Sequence, residues 1–170
     1  MDLKQMIRDI PDFPAPGIIF RDITTILKDP TGLEMAVNAV ADSLDGLDYD
    51  LVLGPESRGF IFGVPLAYRL GKGFIPARKA GKLPAAVASK SYDLEYGTAS
   101  IEIHQDAIEK GQRVVIVDDL LATGGTAKAV AELATELGAQ VVGMSFLIEL
   151  GALGGRDALT GYNVKSVLVY

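Results

Sequence analysis

The chain has 170 residues, 49% of them hydrophobic and 22% charged, with a formal net charge of −6. That length and apolar content suit one domain with a substantial core and argue against disorder, while the acidic balance argues against a broad nucleic-acid interface. No cysteine is present, which excludes disulfides and thiolate metal sites, no apolar run reaches the ~20 residues a membrane helix needs, and the start of the chain lacks the apolar segment of a secretory signal, so a cytoplasmic location is the default expectation.

Residues 2–10 read as a short amphipathic helix, with Leu3, Met6, Ile7 and Ile10 on one side, ended by Pro11, Pro14 and Pro16. Residues 17–22 follow as an irregular or short β segment. A helix starts near Pro30 with Asp29 as its N-cap and runs to about Leu44. Residues 51–54 form a short buried strand. The loop Pro55-Glu56-Ser57-Arg58-Gly59 leads into a helix ending near Gly71, and residues 73–77 are the next strand. The polar stretch 78–98 contains part of a two-stranded excursion with arms at 86–91 and 99–104. A strand at 113–119, a helix at 125–137 capped by Gly138, and strands at 141–148 and 164–169 complete the chain. Strands alternating with helices imply an α/β fold, a mostly parallel central sheet flanked by helices, with ligands bound beyond the carboxyl ends of the strands.

The most informative run is 114–126, VVIVDDLLATGGT. Apolar β-formers lead into Asp118 and Asp119, then into the small-residue loop Ala122, Thr123, Gly124, Gly125 and Thr126, which opens a helix. A loop with no Lys or Arg offers backbone N–H groups, two hydroxyls and the positive end of a helix, a combination suited to a phosphate dianion. Taken alone, it also reads as a tight connection where small residues merely fit. Two carboxylates at the end of a buried strand need a partner, and they can accept hydrogen bonds from a sugar diol. Side chains of successive strand residues point to opposite faces, so Asp118 and Asp119 have different surroundings. The loop is neither a Walker A sequence nor a G-x-G-x-x-G fingerprint. Arg78, Lys79 and Lys82 are the densest basic cluster. Such a cluster is a solvated face in many proteins and an anion site in an acidic one.

The segment 118–126 resembles the phosphoribosyl-pyrophosphate motif of type I phosphoribosyltransferases. Four further segments, Phe13-Pro14-x-Pro16-Gly17-Ile18-Ile19-Phe20-Arg21-Asp22-Ile23, Ser57-Arg58-Gly59-Phe60, Arg78-Lys79-x-Gly81-Lys82-Leu83-Pro84 and Tyr92-x-Leu94-Glu95-Tyr96-Gly97, resemble the adenine phosphoribosyltransferase family, in order and over nearly the whole chain. The resemblance implies a single type I phosphoribosyltransferase domain over 1–170, with 1–29 as a small hood that recognises the base and 78–107 as a flexible lid region. It implies purine salvage: adenine plus phosphoribosyl pyrophosphate giving AMP and pyrophosphate, with Mg²⁺, in a homodimer that binds neither nucleic acid nor membrane.

The resemblance also assigns residues. Residues 122–126 hold the 5′-phosphate, and Asp118 and Asp119 hold the ribose hydroxyls and a share of the metal shell or its waters. Glu56, Ser57 and Arg58 bind the leaving pyrophosphate, with a cis peptide between Glu56 and Ser57. Where this chain has Glu56, members of the family commonly carry Asp, so no unique contact is assigned to it. Arg78, Lys79 and Lys82 offset leaving-group charge. Ile19, Phe20 and Arg21 line the base pocket, where Phe20 stacks on the ring or serves as a core residue. Glu95 takes the adenine N7 proton, with Tyr96 beside it in the lid, and Glu95 and Arg58 carry the catalytic roles. Lone His104 reads as a surface side chain of the lid. Two other readings share the phosphate loop: a transferase for xanthine or hypoxanthine, and a non-catalytic regulator that senses phosphoribosyl pyrophosphate. The segment around Phe20, the Glu95 lid and the lack of a basic DNA-binding region favour the adenine enzyme.

Overall fold

The structure, a computed structural model, describes residues 2–93 and 97–170. Contacts divide the chain into two compact units, Met1–Ala39 and Val40–Tyr170.

In the first unit the expected helix over 2–10 is cut short. Helix α1 covers only Leu3–Met6, capped by Asp2, and Ile7 is already extended. Arg8–Pro11 form strand β1, antiparallel to β2 (Ile19–Asp22). The cause is charge and proline. Register sets Arg8 opposite Asp22 and Asp9 opposite Arg21, and both pairs close as ion pairs. Pro11 also disfavours helical geometry in the residue before it. Helix α2 (Thr24–Leu27), not foreseen from sequence, buries Ile26. Helix α3 (Pro30–Ser43) starts as expected, since Asp29 Oδ1 accepts the N–H groups of Thr31 at 2.9 Å and Gly32 at 3.2 Å.

The second unit carries a seven-stranded sheet. Its strands are β3 (Leu51–Pro55), β4 (Gly73–Lys79), β5 (Val87–Asp93), β6 (Thr98–His104), β7 (Arg113–Leu121), β8 (Gln140–Glu149) and β9 (Val164–Val169), in the order β5-β6-β4-β3-β7-β8-β9. Five strands, β4 to β9 across β3, β7 and β8, run parallel; the hairpin β5–β6 joins β4 antiparallel. The chain goes from β3 through helix α4 (Arg58–Leu70) to β4 on one side. It goes from β7 through helix α5 (Gly125–Glu136) to β8 on the other. Right-handed crossovers in opposite directions place α4 and α5 on opposite faces of the sheet. That is why β7 is apolar on both faces: Val114 and Ile116 join the core beneath α5, and Val115 and Val117 are equally buried on the other side. Helix α5 turns Ala127, Val130, Leu133 and Ala134 into that core. Helix α4 buries Phe62 and Leu66, and stops at Gly71, whose φ of +64° suits glycine.

Asp22, buried in the first unit, supplies a pH test. Hydrogen bonds from the Thr24 N–H and hydroxyl, and then from Arg8, lower its carboxyl from an ordinary 3.8 to about 2. A depressed folded value means that this contribution is complete above pH ~4 and is lost as pH falls toward ~2. The gap in urea midpoint between wild type and Asp22→Asn is therefore expected to be widest above pH ~4 and to shrink below it. A gap independent of pH would contradict the assignment.

Candidate active site

The order of strands reverses between β3 and β7, which pair directly through Leu51–Val114, Val52–Val115 and Leu53–Ile116. In an open α/β sheet a crevice forms beyond the carboxyl ends of the two strands at such a point. A cleft of about 420 Å³ lies there, lined by Glu56, Ser57, Arg58, Lys79 and the continuous segment 118–127.

Two helices open onto it. Helix α4 begins at Arg58 after a cis Glu56–Ser57 peptide, as the resemblance implied. Helix α5 begins at Gly125, and Gly124 before it has a φ of +85°, which glycine adopts without penalty. The first N–H groups of each helix have no partner within the helix and carry partial positive charge. The floor of the cleft therefore suits anions at two places.

Asp118 and Asp119 stand between those places and differ as strand alternation requires. Asp119 is on the Val117 face, is buried, and pairs with Arg58 Nε at 2.8 Å. Asp118 folds back so that its Oδ1 accepts the Asp119 N–H at 2.8 Å. Burial, and then the charge of Asp119, pushes the Asp118 carboxyl well above the ordinary carboxylate value. Burial raises Asp119 as well, but Arg58 opposes the rise. Glu56 turns toward β4, where Oε2 accepts the Lys79 N–H at 2.9 Å and Arg78 Nε at 3.3 Å. The Lys79 N–H, with help from Arg78, lowers its carboxyl below the ordinary value. Arg78 also donates to the Lys82 carbonyl at 3.3 Å, which orders the basic turn. His104 accepts from the Ala85 N–H at 3.4 Å, at the base of the hairpin.

Among the described residues, no group of three or more His, Asp or Glu side chains is placed to enclose a cation. One carboxylate pair beside an anion seat instead fits Mg²⁺ that arrives on a diphosphate and keeps several waters.

A phosphoribosyl transferase domain model matches residues 24–167. The adenine phosphoribosyltransferase of Agathobacter rectalis is 56% identical over 168 residues, covering 99% of this chain and 97% of that protein. The crystal structure of adenine phosphoribosyltransferase from Thermoanaerobacter pseudethanolicus matches with a TM-score of 0.96 at 55% identity, over 99% of this chain and 98% of that one. The Saccharomyces cerevisiae enzyme, complexed with an imino-altritol bisphosphate and adenine, matches with a TM-score of 0.92 at 39% identity, over 98% of this chain and 96% of that one. The chain belongs to the adenine phosphoribosyltransferase family. Its sheet is the mostly parallel type I phosphoribosyltransferase sheet of that family.

Of the residues singled out from sequence, the structure brings Glu56, Ser57, Arg58, Lys79, Asp118, Asp119 and 122–126 into one cleft. Arg78 meets that group through Glu56, and Lys82 follows in an exposed turn. Ile19, Phe20 and Arg21 lie on β2 in the first unit. There Ile19 is exposed, Phe20 meets Phe13 edge-to-face at 5.3 Å, and Arg21 pairs with Asp9. Glu95 and Tyr96 lie outside the described residues.

Sequence reading missed several side-chain contacts made by Tyr92, Lys90 and Arg156. Thr126 Oγ1 donates to the Tyr92 hydroxyl at 3.2 Å. Lys90 ties β5 to Glu136 and Glu132 on α5, at 2.6 and 3.3 Å. Arg156 grips Glu149 at 2.8 Å. The available signal was the sequence Gly154-Gly155-Arg156 after a buried acid, which reads locally as a turn.

Gly59 allows the first turn of α4 to press against β7. A Cβ there would meet Pro55 Cδ at 2.8 Å, the Val117 carbonyl at 3.0 Å and Asp118 Oδ1 at 3.1 Å. Gly59→Ala is expected to lower stability by about 1 kcal/mol or more, despite alanine's better helix propensity. Denaturant unfolding checks this, and an unchanged or raised midpoint would show that α4 and β7 are not this closely packed.

Proposed function

We propose that this protein transfers the 5-phosphoribosyl group from phosphoribosyl pyrophosphate to adenine, giving AMP and pyrophosphate, as a cytoplasmic enzyme of purine salvage. The observation that carries the proposal is the joining in one cleft of two helix N-termini, an acidic pair and the cations Arg58 and Lys79. A substrate with phosphate at one end, a diol in the middle and diphosphate at the other has the same sequence of needs. The full-length likeness to adenine phosphoribosyltransferases supports the base.

In this reading the amides and hydroxyls of 122–126 hold the 5′-phosphate at the start of α5. Asp118 and Asp119 accept from the ribose 2′- and 3′-hydroxyls. The Ser57 region and Arg58 bind the pyrophosphate, while Lys79, with Arg78 and Lys82 behind it, offsets its charge. Mg²⁺ supplies neutralisation of the diphosphate, and Asp118 and Asp119 would hold it through its waters. Adenine N9 attacks C1′, the C1′–O bond to pyrophosphate breaks, and the N7 proton passes to Glu95. Ile19, Phe20 and Arg21 bind the base, and Tyr96 contributes to substrate binding. Holding Arg58 against Asp119 keeps its charge in place before substrate arrives, so little reorganisation is left for the reaction.

The active form is a homodimer. Ile61, Val64, Pro65 and Tyr68 fall at helical spacing on the outer side of α4, with Tyr68 89% exposed and Val64 47% exposed. An exposed aromatic on an apolar stripe is typical of protein interfaces. Tyr68→Asp is expected to halve the mass measured by light scattering in solution. An unchanged mass would place the interface elsewhere.

Purified protein with phosphoribosyl pyrophosphate, Mg²⁺ and each purine base tests the activity. The expected result is AMP from adenine and little product from hypoxanthine or xanthine. Preference for either of those bases would make it a different purine transferase. Tight binding of phosphoribosyl pyrophosphate without turnover would make it a regulator. In the same assay Glu95→Gln is expected to lower kcat by about 10²–10⁴ with the KM for phosphoribosyl pyrophosphate little changed. An unaltered kcat would remove Glu95 from proton transfer.

A further inference from the structure

The segment after β8 has no part in the reaction described above, yet it touches the phosphate loop through bare backbone. A Cβ on Gly155 would come within 2.4 Å of the Ala122 carbonyl and 2.8 Å of Leu121 Cδ1. A Cβ on Gly124 would come within 2.6 Å of the Gly155 carbonyl and 3.1 Å of Ala158 Cβ. No side chain fits between these two stretches. The position of the short helix α6 (Gly155–Ala158) therefore sets the position of residues 122–124.

Arg156 fixes α6. Its Nε and Nη2 reach the two carboxylate oxygens of Glu149, each at 2.8 Å. Nη1 donates to the Val164 carbonyl at 3.0 Å, and Nη2 to Ser166 Oγ at 3.3 Å. One guanidinium thus ties α6 to the end of β8 and to β9. Glu149 is buried and lies opposite Leu121 in the β7–β8 register, and the Leu150 N–H donates to the Leu121 carbonyl at 2.9 Å. The clamp consequently sits beside the last strand residue before the loop. A planar fork with donors in three directions makes these bonds; a lysine ammonium cannot hold the same geometry.

We propose that Arg156, held by Glu149, is a positioning residue for the phosphate seat: through Gly155 it sets where the backbone of 122–124 presents its N–H groups. The inference deepens the function proposed above and rests on the assignment of this loop to the 5′-phosphate. A brace that served only stability would affect both substrates alike. A positioning role selects the substrate that carries the phosphate.

The test compares wild type with Arg156→Lys, Glu149→Gln and Gly155→Ala. It uses steady-state kinetics for both substrates, calorimetric titration with ribose 5-phosphate, and thermal midpoints. For each variant the KM for phosphoribosyl pyrophosphate and the Kd for ribose 5-phosphate are expected to rise about tenfold or more, because small misplacements of a seat have large effects. The KM for adenine is expected to stay within about twofold. The Arg156→Lys/Glu149→Gln double variant is expected to match the worse single variant, as coupled residues do. Arg156→Lys is the decisive protein, because this half-exposed side chain keeps its charge and the fold has little reason to fail. Unchanged ribose 5-phosphate affinity in folded Arg156→Lys would overturn the proposal. So would parallel rises in both KM values, or a loss of kcat that only follows the thermal midpoint. If wild type binds ribose 5-phosphate but does not turn over adenine, the proposed activity fails, while the titration still decides the role of Arg156.

Discussion

Two parallel strands whose crossovers leave in opposite directions, β3 and β7, lie hydrogen-bonded side by side. Most of the site follows from that pairing. Opposite crossovers put α4 and α5 on opposite faces, so their N-termini approach the same carboxyl edge from two sides. Asp118 and Asp119 sit at that edge, and the ion pair from Arg58 to Asp119 links the two halves of the cleft at 2.8 Å.

The chain carries a net charge of −6, and the proposed substrate is a polyanion. The fold reconciles the two by location. Several acids elsewhere are occupied by cations: Asp48 and Asp50 bind Arg113 at the amino end of β7, Asp22 is held by Arg8, and Glu149 by Arg156. At the cleft, Glu56 turns its carboxylate onto Arg78 and the Lys79 N–H. Helix N-termini then provide positive potential without additional cationic side chains. Asp118 and Asp119 line the cleft itself, where Arg58 offsets the charge of Asp119.

Local signals exposed much of this architecture. The β7-to-α5 run could be read because strand hydrophobicity, carboxylates and small residues follow one another without a break. The Asp29–Pro30 helix start was a complete cap signal, and the arms expected at 86–91 and 99–104 lie largely on β5 and β6 despite weak periodicity. Where reading failed, the deciding partner was distant. Helix over 2–10 gave way to β1 because Arg8 and Asp9 meet charges on β2. Arg156 finds Glu149 across a turn, and Tyr92 finds Thr126 across 34 residues. Gly155 and Gly124 look like ordinary turn residues in sequence, because close approach of two backbones leaves no mark except the absence of side chains.

The account's central claim is that the main-chain donors at the start of α5 hold a phosphate monoester. A crystal structure with bound AMP tests it most directly. The account predicts phosphate oxygens within about 2.7–3.2 Å of the N–H groups of residues 123–126, with Asp118 or Asp119 on the ribose hydroxyls. A phosphate seated instead on the basic turn around Arg78 and Lys82, with the 122–126 loop facing only water, would contradict it.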